Sequence, residues 1–433
     1  MDWYYYIALA AILSRLLISL HAYRNYRYAL AKYKRKRSWY ALRTVIIVPC
    51  KGLDSDFEKN ISSFFNQDYE NYLLWFVVGD ESDPAYDELC KLKNQLSQSS
   101  KAQDVQILVA GTVRRATSHE PRATSKTCSQ KINNLLYCYE RISDDIDVLA
   151  FADSDICVRS DWLNHLVWPL RQAKIGAASG YRWFIPKKNN LASLVLSAVN
   201  GTVAQLLGNS RFNQVWGGSM AIRVDVFRRL GLDKVWSKAL SDDLSLSRAV
   251  KKAGMKVEFV PACLAASHES TTWRGLFEFG RRQFLITRIY APSTWWVGLC
   301  GSIYSVLGVW GAAGLAIYAK IVGWGLPHGS TELAEVHDFI GGLNPTLLFM
   351  AVPIIFLTAQ FSMAIMRQKM IRRLLKKDLQ EMKAVMAVDI FAFWIWPLLL
   401  LFFIISSAFG RTIRWRGIRY KLLSPTETIV IGS

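Results

Sequence analysis

The sequence predicts an α/β domain, built on a mostly parallel, Rossmann-like sheet, joined to transmembrane helices. Three observations carry that class. Between residues 44 and 290, short apolar runs that stop at Pro, Gly or Asp alternate with helical patterns, as strands covered on both faces should. Long apolar segments lie at residues 3–20 and beyond 294, near the ~20 residues that a bilayer core demands of a spanning helix. The chain of 433 residues is 52% hydrophobic, with 16 Trp, 18 Tyr and 21 Phe, and that excess sits in those segments.

Residues 1–22 read as an N-terminal transmembrane anchor. WYYYIALAAILSRLLISL is long enough to cross, with Trp and Tyr at one interface and Arg15 as the awkward residue. It lacks the basic leader and small-residue cleavage site of a removed signal peptide, so it is expected to stay. Residues 23–43 hold eight Lys or Arg and read as a basic cytoplasmic linker. The positive-inside rule then puts the amino terminus outside and the main domain in the cytoplasm.

TVIIVPCKG, LLWFVVGDESDP and VQILVAG are three short buried strands, the second ending at Asp80 and Asp83. Residues 112–130 look like a basic loop. A fourth apolar run, Ile146 to Phe151, stops at Asp153, Ser154 and Asp155. Residues 191–208 are apolar but broken by Asn200, Gly201, Thr202 and Gln205, which suits a helix lying at a bilayer surface. WGGSMAIR offers small residues for close approach to a ligand, and KALSDDLSLSRAVKKAG reads as a helix opening on Asp242 and Asp243.

Residues 291–410 form a C-terminal membrane region with apolar segments near 294–321, 345–366 and 384–408. Residues 325–344 carry no Lys or Arg and belong outside; residues 367–383 carry seven and belong inside. The tail, 411–433, has five basic residues between Arg411 and Lys421 and reads as cytoplasmic. That side requires the segment containing Pro397 to be re-entrant or interface-lying. Asp389 within it is either an interface carboxylate or part of a relay.

The formal charge of +19 admits nucleic acid, an anionic membrane surface or phosphorylated ligands. The positives crowd beside apolar segments, which favours the membrane. The seven Cys include no CxxC pair and no regular spacing with His, arguing against a zinc site or disulfide framework.

In such a sheet, ligands sit beyond the carboxyl ends of the strands, where Asp80 and the Asp153–Asp155 pair fall. Alternate positions on a strand end put both aspartates at one opening, where an oxygen-loving divalent cation can bridge them to a nucleotide's phosphates. A solvated Asx turn is the competing reading. For Asp242 and Asp243 the competing reading is plain helix capping.

The order VPCKGLD, VVGDESDP, KINNLLYCYE, FADSDICVRSDWL, an acidic pair at SDD and an Arg-rich helix resembles the ceramide glucosyltransferase branch of family-two glycosyltransferases. The closing WRGIRYKLLSPTETI is similar to that branch's carboxyl tail. The likeness runs over most of the chain and is densest between 44 and 290. It implies a GT-A type catalytic domain on the cytoplasmic face of a bacterial inner membrane or Golgi membrane. The implied reaction is inverting transfer of a hexose, glucose from UDP-glucose, to a lipid hydroxyl such as that of ceramide, with Mn²⁺ or Mg²⁺ as cofactor. The implied partners are a UDP-hexose, a lipid acceptor and the bilayer, with no nucleic acid; no oligomeric state follows.

The resemblance also implies roles. Asp80 would accept a hydrogen bond from a uracil imide, Asp153 would reach the ribose or the metal, and Asp155 would hold the metal. Asp243 would take the acceptor's proton; Asp242 stands where the family has Glu and is the alternative base. Lys131 would touch the donor diphosphate or cap a helix. The family's Arg-Trp motif is incomplete, because Leu285 and Ile286 stand in its place. Arg281 or Arg282 would supply its first element, with Arg288 as a diphosphate clamp and Tyr290 as a stacking ring; contact with lipid phosphates is the alternative. His268 falls where a third metal ligand is expected, though a lone His is usually structural. Trp216, Gly217 and Gly218 would border the acceptor. Rival readings are a processive polysaccharide synthase, which needs an intact motif and more spans, a glycoside hydrolase independent of nucleotide and metal, and a non-catalytic membrane scaffold.

Overall fold

The computed structural model describes residues 2–34, 40–54, 56–113, 127–322 and 345–432. The greater part of the basic loop expected at 112–130, and the outside segment 325–344, lie outside the described residues. In chain order the helices are α1 (Asp2–Tyr33), α2 (Phe57–Ser62), α3 (Pro84–Leu96), α4 (Gln130–Tyr139), α5 (Trp162–Val167), α6 (Leu191–Ala204), α7 (Val224–Arg229), α8 (Leu232–Trp236) and α9 (Asp242–Lys252). They continue with α10 (Trp273–Tyr290), α11 (Pro292–Val306), α12 (Ala312–Val322), α13 (Pro345–Leu374), α14 (Lys383–Phe391) and α15 (Trp396–Ala408).

Strands β1 (Thr44–Pro49), β2 (Tyr72–Val78), β3 (Asp104–Val109), β4 (Val148–Ala152), β5 (Ile175–Pro186), β6 (Ser219–Arg223) and β7 (Lys256–Glu269) form one sheet in the order β3-β2-β1-β4-β6-β5-β7. Within it β6 alone is reversed. The alternation of strand side chains builds two cores. Val45, Ile47, Leu73, Trp75, Leu149 and Phe151 face α4, α7, α8 and α9. Ile46, Val48, Leu74, Phe76, Val148 and Ala150 face α2, α3 and α5. Each such side chain contributes about 2 kcal/mol when fully buried, which is why these strands read as continuous apolar runs. The polar residues that end β2 and β4 are thereby held at one edge of a rigid sheet.

Among the described residues, three helical stretches are long and apolar enough to cross a membrane: Tyr6–Tyr33, Pro292–Tyr318 and Met350–Leu374. Arg15 is buried among them, over the Phe356 ring at 5.5 Å and donating to Met363 Sδ at 3.6 Å. Segment 384–408 is a pair of helices, α14 and α15, bent by 90° rather than one straight rod.

Several expectations change. Residues 23–33, read as linker, continue α1 as a helix. Asn25 donates to Leu206 O at 3.0 Å, Tyr28 to Glu258 Oε1 at 2.9 Å, and Lys32 pairs with Glu258 at 3.6 Å, so this stretch docks on the α/β domain while Arg24 and Arg27 face outward. The segment 191–208 is enclosed by protein rather than spread on a surface. Two of its polar residues serve β5: Ser197 Oγ donates to Phe184 O at 2.5 Å and Asn200 to Arg182 O at 2.9 Å. Asp389 does not face interfacial water. It is 0% exposed and grips Arg367 through two bonds, Nε–Oδ2 at 3.1 Å and Nη2–Oδ1 at 2.6 Å, with Trp396 Nε1 donating at 2.9 Å. The basic tail is ordered as β8 (Thr412–Trp415), β9 (Ile418–Ser424) and β10 (Glu427–Gly432), an antiparallel sheet. Its Ile413, Ile418, Tyr420 and Leu422 enter the core on the α4 side.

Candidate active site

At the end of β4 the chain breaks from Ala152 into Asp153, Ser154 and Asp155, and β6 approaches through Trp216, Gly217 and Gly218. Lys131, in the first turn of α4, reaches between them. Its Nζ lies 2.7 Å from Asp153 Oδ1 and 3.0 Å from Asp242 Oδ2, and donates to Gly217 O at 3.2 Å. Glycine is required here by space: a Cβ on Gly217 would sit 2.7 Å from Asp242 Oδ2, and one on Gly218 2.7 Å from Asp153 Oδ2. Trp216 packs edge-on against Tyr181, centroids 5.9 Å apart.

Asp242 and Asp243 open α9 behind the cap residue Ser241, whose side chain accepts from Leu244 N. The Asp242 carboxylate turns inward to Lys131. The Asp243 Oδ2 accepts from Gly217 N at 3.1 Å and its Oδ1 from Leu244 N at 2.7 Å and from Ser241 Oγ. The two neighbours therefore differ in environment, one buried and ion-paired, the other half-buried and pinned by the helix start.

Burial and charge set the proton affinities. Burial, followed by the charge of Asp153, pushes Asp155 up to about 7 despite Arg182 Nη1 at 3.4 Å. Burial also pushes Asp242 up to about 6, against the pull of Lys131. Asp153 goes the other way: burial opposes its charge, but Lys131 overcomes that and lowers it. Lys131 in turn is held above the usual lysine range, since Asp153 and Asp242 outweigh its own burial.

The other expected residues are distributed less evenly. Asp80 stands exposed beyond β2, its Oδ1 taken by Ser82 N at 2.9 Å and Ser82 Oγ at 2.7 Å. It shares the sheet edge with the cluster but joins none of its contacts. Arg281 and Arg288 do not face the donor side. Arg281 donates to Phe409 O at 2.9 Å and Ser406 O at 3.3 Å, and Arg288 to Ala408 O and Gly410 O, so both cap the carbonyl end of α15. Tyr290 is 1% exposed and accepts from Leu240 N at 2.7 Å, leaving no free ring face. Arg282 is the arginine of that helix whose charge meets the site: burial, then Arg182 and Arg416, lower it to about 10. His268 points away from Asp155, its Nε2 lying 3.3 Å from both Asp378 Oδ1 and Glu381 Oε2. Strand alternation turns its neighbour Glu269 toward the cluster, where Asp155 feels its charge.

Sequence reading missed Glu269, Arg182, Asp54 and Arg416. Asp54 accepts from Ser154 Oγ at 2.9 Å and from both Nη atoms of Arg416. A signal existed for two of them: Asp54 closes VPCKGLD and Arg416 lies in WRGIRYKL, both quoted for their likeness but left without roles.

The profile of glycosyl transferase family 21 matches residues 5–321. Among solved structures, the mannosyltransferase PcManGT from Pyrobaculum calidifontis, in complex with GDP-Man and Mn²⁺, is 14% identical, with 81% of this chain and 97% of that chain covered and a TM-score of 0.40. Glucosyl-3-phosphoglycerate synthase from Mycobacterium tuberculosis, in complex with Mn²⁺, UDP and glucosyl-3-phosphoglycerate, is 14% identical, with 59% and 85% covered and a TM-score of 0.34.

Proposed function

The chain belongs to glycosyl transferase family 21, and from that premise we propose that it moves glucose from UDP-glucose, with inversion, onto the hydroxyl of a membrane lipid such as ceramide. The observation that supports this most directly is the Lys131-linked cluster of Asp153, Asp242 and Gly217, with Asp155 and Asp243 beside it, at the carboxyl edge of the sheet. Helices long enough to cross a membrane in the same chain support a lipid acceptor for that cluster.

Asp155 and Asp153 suit Mn²⁺ or Mg²⁺. Asp155 Oδ1 is buried without a hydrogen-bond partner, and a carboxyl held near 7 beside a second carboxylate is one short of positive charge. Asp153 and Asp155 would hold the divalent cation, which would supply positive charge for the departing diphosphate. Lys131, Arg182 and Arg282 surround the same edge with fixed positive charge for the phosphates. Asp243, half-buried and oriented by Gly217 N and Leu244 N, takes the proton from the acceptor hydroxyl as it attacks. Asp242, locked on Lys131, keeps that lysine in place. Trp216 lines the approach of the acceptor.

Membranes containing the protein, offered a panel of radiolabelled nucleotide sugars, should label one lipid with one hexose, and chelation should stop it. No labelled lipid with any donor overturns the proposal; a growing polymer would favour a processive synthase. Asp243→Asn should cut turnover by roughly 10²–10⁴-fold, whereas Asp242→Asn should act mainly through donor affinity. The opposite pattern would make Asp242 the base.

A further inference from the structure

The turn joining β8 to β9 has two residues, Arg416 and Gly417, with φ of 49° and 86°. Positive φ at both positions matches strand twist in a two-residue hairpin, where Asn or Gly is the ordinary first residue. An arginine there is conformationally costly. Its side chain leaves the tail altogether. Nη1 lies 2.6 Å from Asp54 Oδ1 and Nη2 3.1 Å from Asp54 Oδ2; Nη1 also donates to Lys51 O at 3.2 Å, and Lys51 Nζ returns a bond to Arg416 O at 2.9 Å.

Asp54 leads straight into the site, because its Oδ2 accepts from Ser154, the residue between Asp153 and Asp155. Arg416 is thus one carboxylate away from the pair suited to the metal, and Arg182 and Arg282 are near enough to sense its charge or that of Asp155. A clamp holding down the tail is a poor account of this arginine. Its side chain is 43% exposed, and ion pairs that open to water add little to stability. The apolar face of β9 already anchors the tail.

We propose that Arg416 is a donor-binding residue, delivered by the C-terminal hairpin, whose guanidinium rests on Asp54 and passes to the diphosphate oxygens when a nucleotide sugar enters. This rests on the reading of the site as a nucleotide-sugar transferase. A guanidinium fork fits paired phosphate oxygens as it fits a carboxylate, and a diphosphate carries more charge than Asp54 alone.

The test is binding, measured on the full-length protein in detergent with Mn²⁺, using UDP and uridine as separate probes. Arg416→Gln should weaken UDP by about 10- to 100-fold, the range for a lost charge-assisted contact to phosphate, and leave uridine unchanged. Arg416→Lys should recover part of the loss. Asp54→Asn, which frees the guanidinium, should not weaken UDP as Arg416→Gln does. Equal UDP affinity in wild type and Arg416→Gln overturns the inference, as does an equal loss of UDP and uridine or a matching loss in Asp54→Asn. A wild-type protein that binds neither UDP nor GDP with either metal overturns the donor reading and this inference with it.

Discussion

Lys131 is 14% exposed and stands between two carboxylates that, among the described residues, have no other cation as near. Removing it strands buried negative charge, so Lys131→Met should lower stability by about 3 kcal/mol, seen as a fall in thermal midpoint. Pairing it with Asp242→Asn should restore part of that loss; an unchanged midpoint in Lys131→Met would show that water already screens the pair. Asp155 makes a second prediction through pH. Its folded value, about 7, is above its ordinary 3.8. The folded state thus holds the proton more tightly, and the contribution of this group to stability is complete below the ordinary value and lost as pH rises toward 7. A divalent cation needs the ionised form, so the stabilisation conferred by Mn²⁺ should grow with pH across that window and level off above it. Asp155→Asn should remove the pH-dependent part. A Mn²⁺ effect that is flat from pH 4 to 8 would place the metal elsewhere.

At the scale of elements, the bent pair α14–α15 is held by one polar knot. Arg367 of α13 binds Asp389 of α14 twice and Gln205, just beyond α6, at 2.9 Å; Trp396 of α15 donates to the same carboxylate. Both ions are almost wholly buried, at 4% and 1% side-chain exposure. Asp389→Ala leaves Arg367 uncompensated and should cost about 3–5 kcal/mol, while Arg367→Met with Asp389→Leu should recover most of it. Thermal unfolding in detergent of the three variants checks the pair. A double variant as unstable as the single one would mean that the knot sets the bend and does more than balance charge. At the other end of the pair, Arg281 and Arg288 cap the carbonyls of residues 406–410, so α10 fixes where the tail begins.

At the scale of the whole molecule, contacts fix which domain meets each end of the bent pair. Asp378, just past α13, lies against His268 of β7, and β9 packs in the core of the catalytic domain. The chain therefore enters and leaves α14–α15 beside the same domain, and we propose that the pair is a re-entrant excursion rather than a crossing. In sealed vesicles, a cysteine at Ser424 should react with an impermeant maleimide from the side that also exposes the catalytic domain, and one at Ser330 from the opposite side. Labelling of the two from one side would break this arrangement.

Periodicity and punctuation in the sequence determined the doubly covered sheet, the bilayer-length helices and the two acidic pairs at element ends. Those are local properties: an apolar run must be buried, and the polar residue that ends it must sit at an edge. Facing was harder. Arg281 and Arg288 are seven apart and share one helix face, so both went to α15 while Arg282 turned to the site. His268 and Glu269 alternate across β7 for the same geometric reason, so His268 meets Asp378 and Glu381 while Glu269 turns toward Asp155. Only the tertiary structure decided what 362 residues of separation conceal, the meeting of Arg416 with Asp54 beside Ser154. A contact of that range depends on how a tail sheet packs against a core, and no spacing or motif within either segment encodes it.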